Sequence, residues 1–139
     1  MYFATISSPQ TPPRPALFRD GVYYPLPYPD MRAVIEAGLD SPSLLGKGPG
    51  VRSDAGVRLH APIQPPTLRD AYAFEQHVKT ANQNRGRDVP EEWYDFPVFY
   101  FTNPHSIFGP DEEIPYPPYT SQLDYELEIA VVIGKAGLG

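Results

Sequence analysis

Within Leu123–Lys135, carboxylates stand at alternate positions: Asp124, Glu126 and Glu128. In a β-strand, residues two apart project from the same face, about 6.8 Å from one another. The three acids would then share one face, with Tyr125, Leu127, Ile129 and Val131 on the other. Past Glu128 the acidic face turns apolar at Ala130 and Val132, the pattern of a strand running into a covered sheet. Unpaired charge in such a place is costly. A divalent cation would resolve the conflict, because Mg2+ and Ca2+ both favour carboxylate oxygens. Two plainer arrangements fit the same residues: an edge strand whose acidic face stays in water, or carboxylates paired with Arg or Lys.

Asp70 and His77 form the second candidate pair. Thr67-Leu68-Arg69-Asp70 has the form of a capping box, and the residues that follow are helix-compatible to about Thr80 or Asn82. If both residues are helical they fall near one face, about 10.5 Å apart along the axis, too far to bind one metal together. A substrate could still reach from a metal near Asp70 to a base at His77, a task suited to imidazole. The plainer reading makes Asp70 a cap and His77 a surface histidine.

The elements that must position these groups are short. Leu17 to Tyr24 holds Asp20-Gly21 between apolar residues, which predicts a β-hairpin. Asp30 reads as an N-cap for a helix over 31–37, with Gly38 ending it. Ser41 to Gly56 is rich in Gly, Pro and Ser and reads as a linker or long loop. Its Gly46-Lys47-Gly48 is no phosphate loop, since Gly48 stands where Ser or Thr is required. Val57–Ala61 predicts a strand, Gln83–Asp88 a polar loop, and Phe96–Phe101 an aromatic strand turned by Asn103-Pro104.

The chain has 139 residues, 19 of them proline, so helices are interrupted and strands kept short or at edges. This predicts a mostly β fold with short helices, of the α+β class. A net charge of −6 without a basic cluster argues against nucleic acid or an anionic membrane as partner. The lack of cysteine removes disulfides and thiolate ligands. No signal peptide or membrane-spanning run is visible, making a cytoplasmic location the default expectation. Because the most strand-like segment lies six residues from the last one, the chain is expected to be the N-terminal part of a longer protein, with any site here incomplete.

Several separated segments resemble the fumarylacetoacetate hydrolase family. They are Arg69–Lys79, Pro97–Pro104, Ile107-Phe108-Gly109-Pro110 and Leu123–Gly134, in matching order and spacing. The resemblance is clear from Pro62 onward, while Met1 to Gly38 looks like that family's variable N-terminal module. It implies an N-terminal module and linker over 1–56, and over 57–139 the first part of a mixed β-roll catalytic domain, truncated. The implied activity is metal-dependent and acts on dicarbonyl or oxo-acid substrates, often by hydrolytic carbon–carbon cleavage. Glu126 and Glu128 match the paired ligands of Mg2+ or Ca2+, with Mn2+ a further candidate, and Asp70 matches an additional aspartate ligand. His77 matches the water-activating histidine, and Tyr72 and Tyr100 match pocket-lining tyrosines. A homodimer is expected for the full-length protein. In one departure, many smaller members carry Glu three residues after the histidine, where this chain has Thr80. The family's remaining aspartate ligand and its lysine would lie beyond residue 139.

The same platform suits isomerisation, decarboxylation or hydration of an oxo-acid, and the sequence does not choose among them. A reading of another class takes Pro12-Pro13-Arg14-Pro15 and Pro115-Tyr116-Pro117-Pro118-Tyr119 as polyproline ligands, making the chain an interaction module.

Overall fold

The computed structural model describes residues 2–38 and 49–137. Strands dominate, with a few short helices, and among the described residues every strand pairing is antiparallel. The chain divides into two compact units, Met1–Gln64 with Ile107–Gly139, and Pro65–Ser106. Among the described residues no helix is long and apolar enough to cross a membrane.

The first unit is built on a five-stranded sheet of order β4-β3-β2-β1-β5. Its strands are β1 (Tyr2–Ser8), β2 (Thr11–Arg19), β3 (Val22–Pro25), β4 (Val51–Arg52) and β5 (Arg58–His60). The hairpin predicted at Asp20-Gly21 joins β2 to β3, and both turn residues take positive φ, 52° and 76°. That is the twist a two-residue hairpin loop requires, and Gly21 meets it without steric cost. A preceding hairpin, β1 to β2, opens the chain and was not anticipated, because β2 carries Pro12, Pro13 and Pro15. Those prolines are tolerated for a local reason. β3 pairs with Ala16–Arg19, so Pro12 and Pro13 lie in the half of β2 that β3 does not reach, while Pro15 still accepts from the Leu26 N–H at 2.9 Å through its carbonyl. The absent N–H groups of Pro12 and Pro13 therefore break no ladder on the second side, and the Leu26 carbonyl opposite Pro15 accepts from the Arg14 guanidinium at 3.3 Å instead. This also corrects the polyproline reading for Pro12–Pro15, whose backbone belongs to the sheet.

Helix α1 (Met31–Glu36) forms as predicted, with Asp30 Oδ1 accepting from the Ala33 N–H at 2.8 Å and Gly38 at φ 83° ending it. Met31 and Val34 lie on its buried side and meet Leu17 and Leu26 in the core of this unit. The segment expected to be linker contains the short strand β4 at its far end. Gly46-Lys47-Gly48 falls outside the described residues. His60 is held at 2.7 Å by Ser7 across the β1–β5 pair, and Arg58 bonds Glu112 at 3.2 Å. Gly109 packs so closely on the end of β5 that a Cβ there would stand 2.7 Å from the Ala61 nitrogen.

The strand expected over Tyr125–Ile133 is not formed. Among the described residues this segment has no strand partner. Alternation of side chains is a necessary feature of a strand, but the backbone becomes one only against a neighbouring edge, and none is offered among the described residues. Its apolar residues are accordingly bare: Leu127 is 96% exposed and Tyr125 89%.

The second unit contains β6 (Leu68–Ala71), α2 (Glu75–Gln83), α3 (Glu92–Asp95) and β7 (Phe99–Thr102). β6 and β7 pair from Leu68↔Thr102 to Ala71↔Phe99. This corrects the capping-box reading, since Thr67–Asp70 does not start a helix. Long-range pairing with the aromatic strand outweighs the local capping preference, and α2 begins only at Glu75, after Phe74, without a side-chain cap.

Candidate functional site

Asp70 and His77 sit on different elements joined by one tight turn. Asp70 lies on β6, directly opposite Tyr100 on β7. Leu68, Asp70, Tyr100 and Thr102 share one face of the two-stranded sheet, while Arg69, Ala71, Phe99 and Phe101 share the other. On that second face the Arg69 guanidinium stands 4.7 Å from the Phe101 ring centre and 5.8 Å from that of Phe99. These stacked contacts keep the cation away from Asp70, although the two residues are adjacent in sequence. Asp70 is half-buried, and its Oδ2 accepts a 2.5 Å hydrogen bond from the Tyr100 hydroxyl.

The turn is fixed at both ends. Tyr72 N–H bonds the Val98 carbonyl at 3.0 Å, which extends the β6–β7 ladder by one residue. The Tyr72 carbonyl in turn accepts from the indole nitrogen of Trp93 at 2.8 Å. His77 then falls in the first turn of α2, exposed, with its ring edge-on to Tyr72 at 5.5 Å between centroids. Asp70, Tyr72, His77 and Tyr100, expected from sequence to act together, therefore all lie in this one unit. The expected 10.5 Å helical offset between Asp70 and His77 does not apply, because Asp70 is on a strand.

Thr80 stands where many members of the family carry an acid beside the histidine. Glu75, two residues before His77, is engaged elsewhere: it accepts from Lys79 Nζ at 2.8 Å and from the Tyr94 hydroxyl at 3.0 Å. These bonds, Lys79 first and Tyr94 second, hold the Glu75 carboxyl below its ordinary value. The same bond to Glu75 raises the Tyr94 phenol.

Glu126 and Glu128 lie in the first unit, exposed. Among the described residues neither forms an ion pair with Arg or Lys, so the paired-carboxylate arrangement is not what occupies them. Asp124 accepts from its neighbour, the Tyr125 N–H, at 2.9 Å. Among the described residues no three His, Cys, Asp or Glu side chains converge on one point. Taken one by one, Asp70, Glu126 and Glu128 could each offer a metal the same kind of donor. All are hard carboxylate oxygens, with no thiolate or imidazole among them, which fits Mg2+, Ca2+ or Mn2+ rather than a softer metal.

Two residues near these groups escaped the sequence reading. Trp93 clamps the Tyr72 turn, and its signal was a lone tryptophan between Pro90 and Pro97. Thr102 shares the Asp70 face, and its hydroxyl is buried without a hydrogen-bond partner. Its place two residues after Tyr100 in a strand was the available clue.

Comparison with known proteins adds a separate line. Residues 67–138 match the family model described as fumarylacetoacetate (FAA) hydrolase C-terminal. The chain is 43% identical over 64 residues to the human mitochondrial oxaloacetate tautomerase FAHD2A. That alignment takes in 46% of this chain and 18% of the human protein. It is 35% identical over 83 residues to the oxaloacetate tautomerase YisK of Bacillus subtilis, covering 58% of this chain and 26% of that protein. A fumarylacetoacetate hydrolase domain-containing protein 2 from Pongo abelii is 45% identical over 64 residues, 46% of this chain and 18% of the relative. The matched regions thus span about a fifth to a quarter of these relatives' lengths.

Proposed function

Because the chain belongs to the fumarylacetoacetate hydrolase family, we propose that it contributes part of the active site of a divalent-metal-dependent enzyme that cleaves a carbon–carbon bond in a dicarbonyl or oxo-acid. The observation that carries this reading is the β6–turn–α2 arrangement, which holds Asp70 and His77 on either side of Tyr72. Asp70, Glu126 and Glu128 are the proposed ligands, and residues 57–139 the proposed start of the catalytic domain. A bound Mg2+, Ca2+ or Mn2+ would act as a Lewis acid on the oxygens of the substrate.

The remaining chemistry falls to side chains. His77 accepts a proton from water on a ring nitrogen and directs the resulting hydroxide at the carbonyl carbon beside the bond to be broken. As the carbonyl re-forms as a carboxylic acid, the carbon–carbon bond breaks with its electron pair leaving on the neighbouring fragment as an enolate, which takes the proton back from His77. Tyr72 holds the imidazole edge-on, and the rings of Tyr72 and Tyr100 line the space for the substrate. A small anionic oxo-acid is the proposed substrate class, and a homodimer the proposed assembly.

Tautomerisation is the second reading, favoured by the names of the human and Bacillus relatives. It would use His77 to move a proton on the substrate's carbon or oxygen rather than from water. One experiment addresses both. The natural gene product carrying these residues is given an acylpyruvate and, separately, oxaloacetate, with products followed by NMR. Cleavage products from the acylpyruvate that disappear in His77→Ala support hydrolysis. Enol–keto exchange of oxaloacetate without cleavage supports tautomerisation. Unaltered turnover of both substrates in His77→Ala would remove His77 from the mechanism. Calorimetric titration with Mg2+ tests the ligands: binding as tight in the Glu126→Gln, Glu128→Gln double variant as in the parent would remove the acidic segment.

A further inference from the structure

We propose that Tyr100 is a positioning residue for Asp70, its hydroxyl fixing which carboxylate oxygen of Asp70 is presented to a divalent cation. This rests on the reading of Asp70 as a ligand and goes beyond the pocket-lining role implied for Tyr100 by resemblance.

The geometry is specific. Asp70 and Tyr100 are direct cross-strand partners in the β6–β7 register, so their side chains leave the sheet side by side on one face. The phenol donates to Oδ2 at 2.5 Å, at the short end for a hydroxyl to a carboxylate. A carboxylate on a strand has two free torsions, and this bond removes most of the freedom of the second. Oδ2 is committed to the tyrosine, and among the described residues no hydrogen bond engages Oδ1, the oxygen proposed for the cation. The nearest cation in sequence cannot compete, because Arg69 is held on the opposite face over Phe99 and Phe101. A ligand oriented by a hydrogen bond to its other atom is the common arrangement around metals, and loss of such a partner typically weakens metal binding about 10- to 100-fold. Tyr100 is suited to the task because its phenol is a neutral donor. An Arg or Lys in that place would cancel the charge that the cation needs.

The test is calorimetric titration of Mn2+ and Mg2+ into the metal-stripped natural gene product, comparing the parent with Tyr100→Phe, Asp70→Asn and the double variant. Tyr100→Phe deletes one oxygen from an exposed ring and keeps its packing. The expected result is a 10- to 100-fold weaker Kd in Tyr100→Phe, with the double variant no weaker than Asp70→Asn alone, since the hydroxyl acts only through the carboxylate. At saturating metal, Tyr100→Phe should recover turnover relative to its own value at limiting metal. Parent-like metal affinity in Tyr100→Phe alongside a weakened Asp70→Asn would overturn the positioning role while leaving Asp70 a ligand. A KM that stays raised at saturating metal would also overturn it, placing the hydroxyl on the substrate. Parent-like affinity in Asp70→Asn would instead overturn the ligand reading on which the inference rests.

Discussion

Replacing Trp93 with Phe should loosen the turn that separates Asp70 from His77. The indole N–H donates to the Tyr72 carbonyl at 2.8 Å, and the ring packs edge-on against Tyr94 at 4.9 Å. Phenylalanine keeps an aromatic ring but cannot donate. A hydrogen bond of this kind contributes about 0.5–1.5 kcal/mol, and leaving a partly buried carbonyl unmatched raises the cost to about 1–3 kcal/mol. Reduced contact with Tyr94 adds a fraction of the roughly 0.5–1.5 kcal/mol ascribed to an aromatic pair. A total of about 2 kcal/mol follows, enough to raise the population of the detached turn some thirtyfold. Urea unfolding followed by circular dichroism should show the midpoint fall without a change in slope. The second readout is kcat, because Tyr72 is the ring that meets His77. Stability within about 0.3 kcal/mol of the parent would refute the clamp, that being the ordinary scatter of a neutral change. A stability loss with kcat intact would show that the turn supports the fold and not His77.

Two other outcomes follow from the packing and charges. Gly109→Ala should destabilise by about 1–3 kcal/mol, since the added Cβ meets backbone atoms of His60 and Ala61 rather than a movable side chain. Parent-like thermal stability would mean that Gly109 does not lie against the end of β5. Glu75 should titrate below the ordinary carboxylate value of 4.5, because Lys79 and Tyr94 favour its charged form. A depressed folded-state value means that the ionised contact stabilises fully above the unfolded value and is lost as pH falls through the folded one. NMR titration of the Glu75 carboxyl carbon checks this, and a midpoint at or above 4.5 would contradict the bonding seen.

What could be read from sequence divides by the range of the forces involved. The Asp20-Gly21 hairpin and the Asp30 cap are decided within four residues, by a positive φ in one case and a single side-chain acceptor in the other. Both were legible. The short stretch Thr67–Asp70 satisfies a local capping rule and a strand equally well, and only Phe99–Thr102, some thirty residues away, settles it as β6. The same distant pairing decides the chemistry, because it sets Asp70 beside Tyr100 and turns Arg69 to the aromatic face. Residue types therefore identified Asp70 and His77 as candidates, while the relation between them depended on contacts that no local pattern contains.

The acidic segment extends this argument. Its alternation is the clearest in the chain, yet Tyr125 and Leu127 are almost wholly exposed and no strand forms among the described residues. Apolar surface left in water forgoes about 25 cal/mol for each Å². Clustered carboxylates add mutual repulsion that water only partly screens. In a strand, the two features would fall on opposite faces and be answered by an apolar layer on one side and by water or positive charge on the other. A sheet neighbour alone would bury Leu127 and leave the acids unmatched, and a cation alone would leave Leu127 bare. The proposed cation is the partner that metal titration of the Glu126→Gln, Glu128→Gln double variant can detect, and parent-like binding there would remove it.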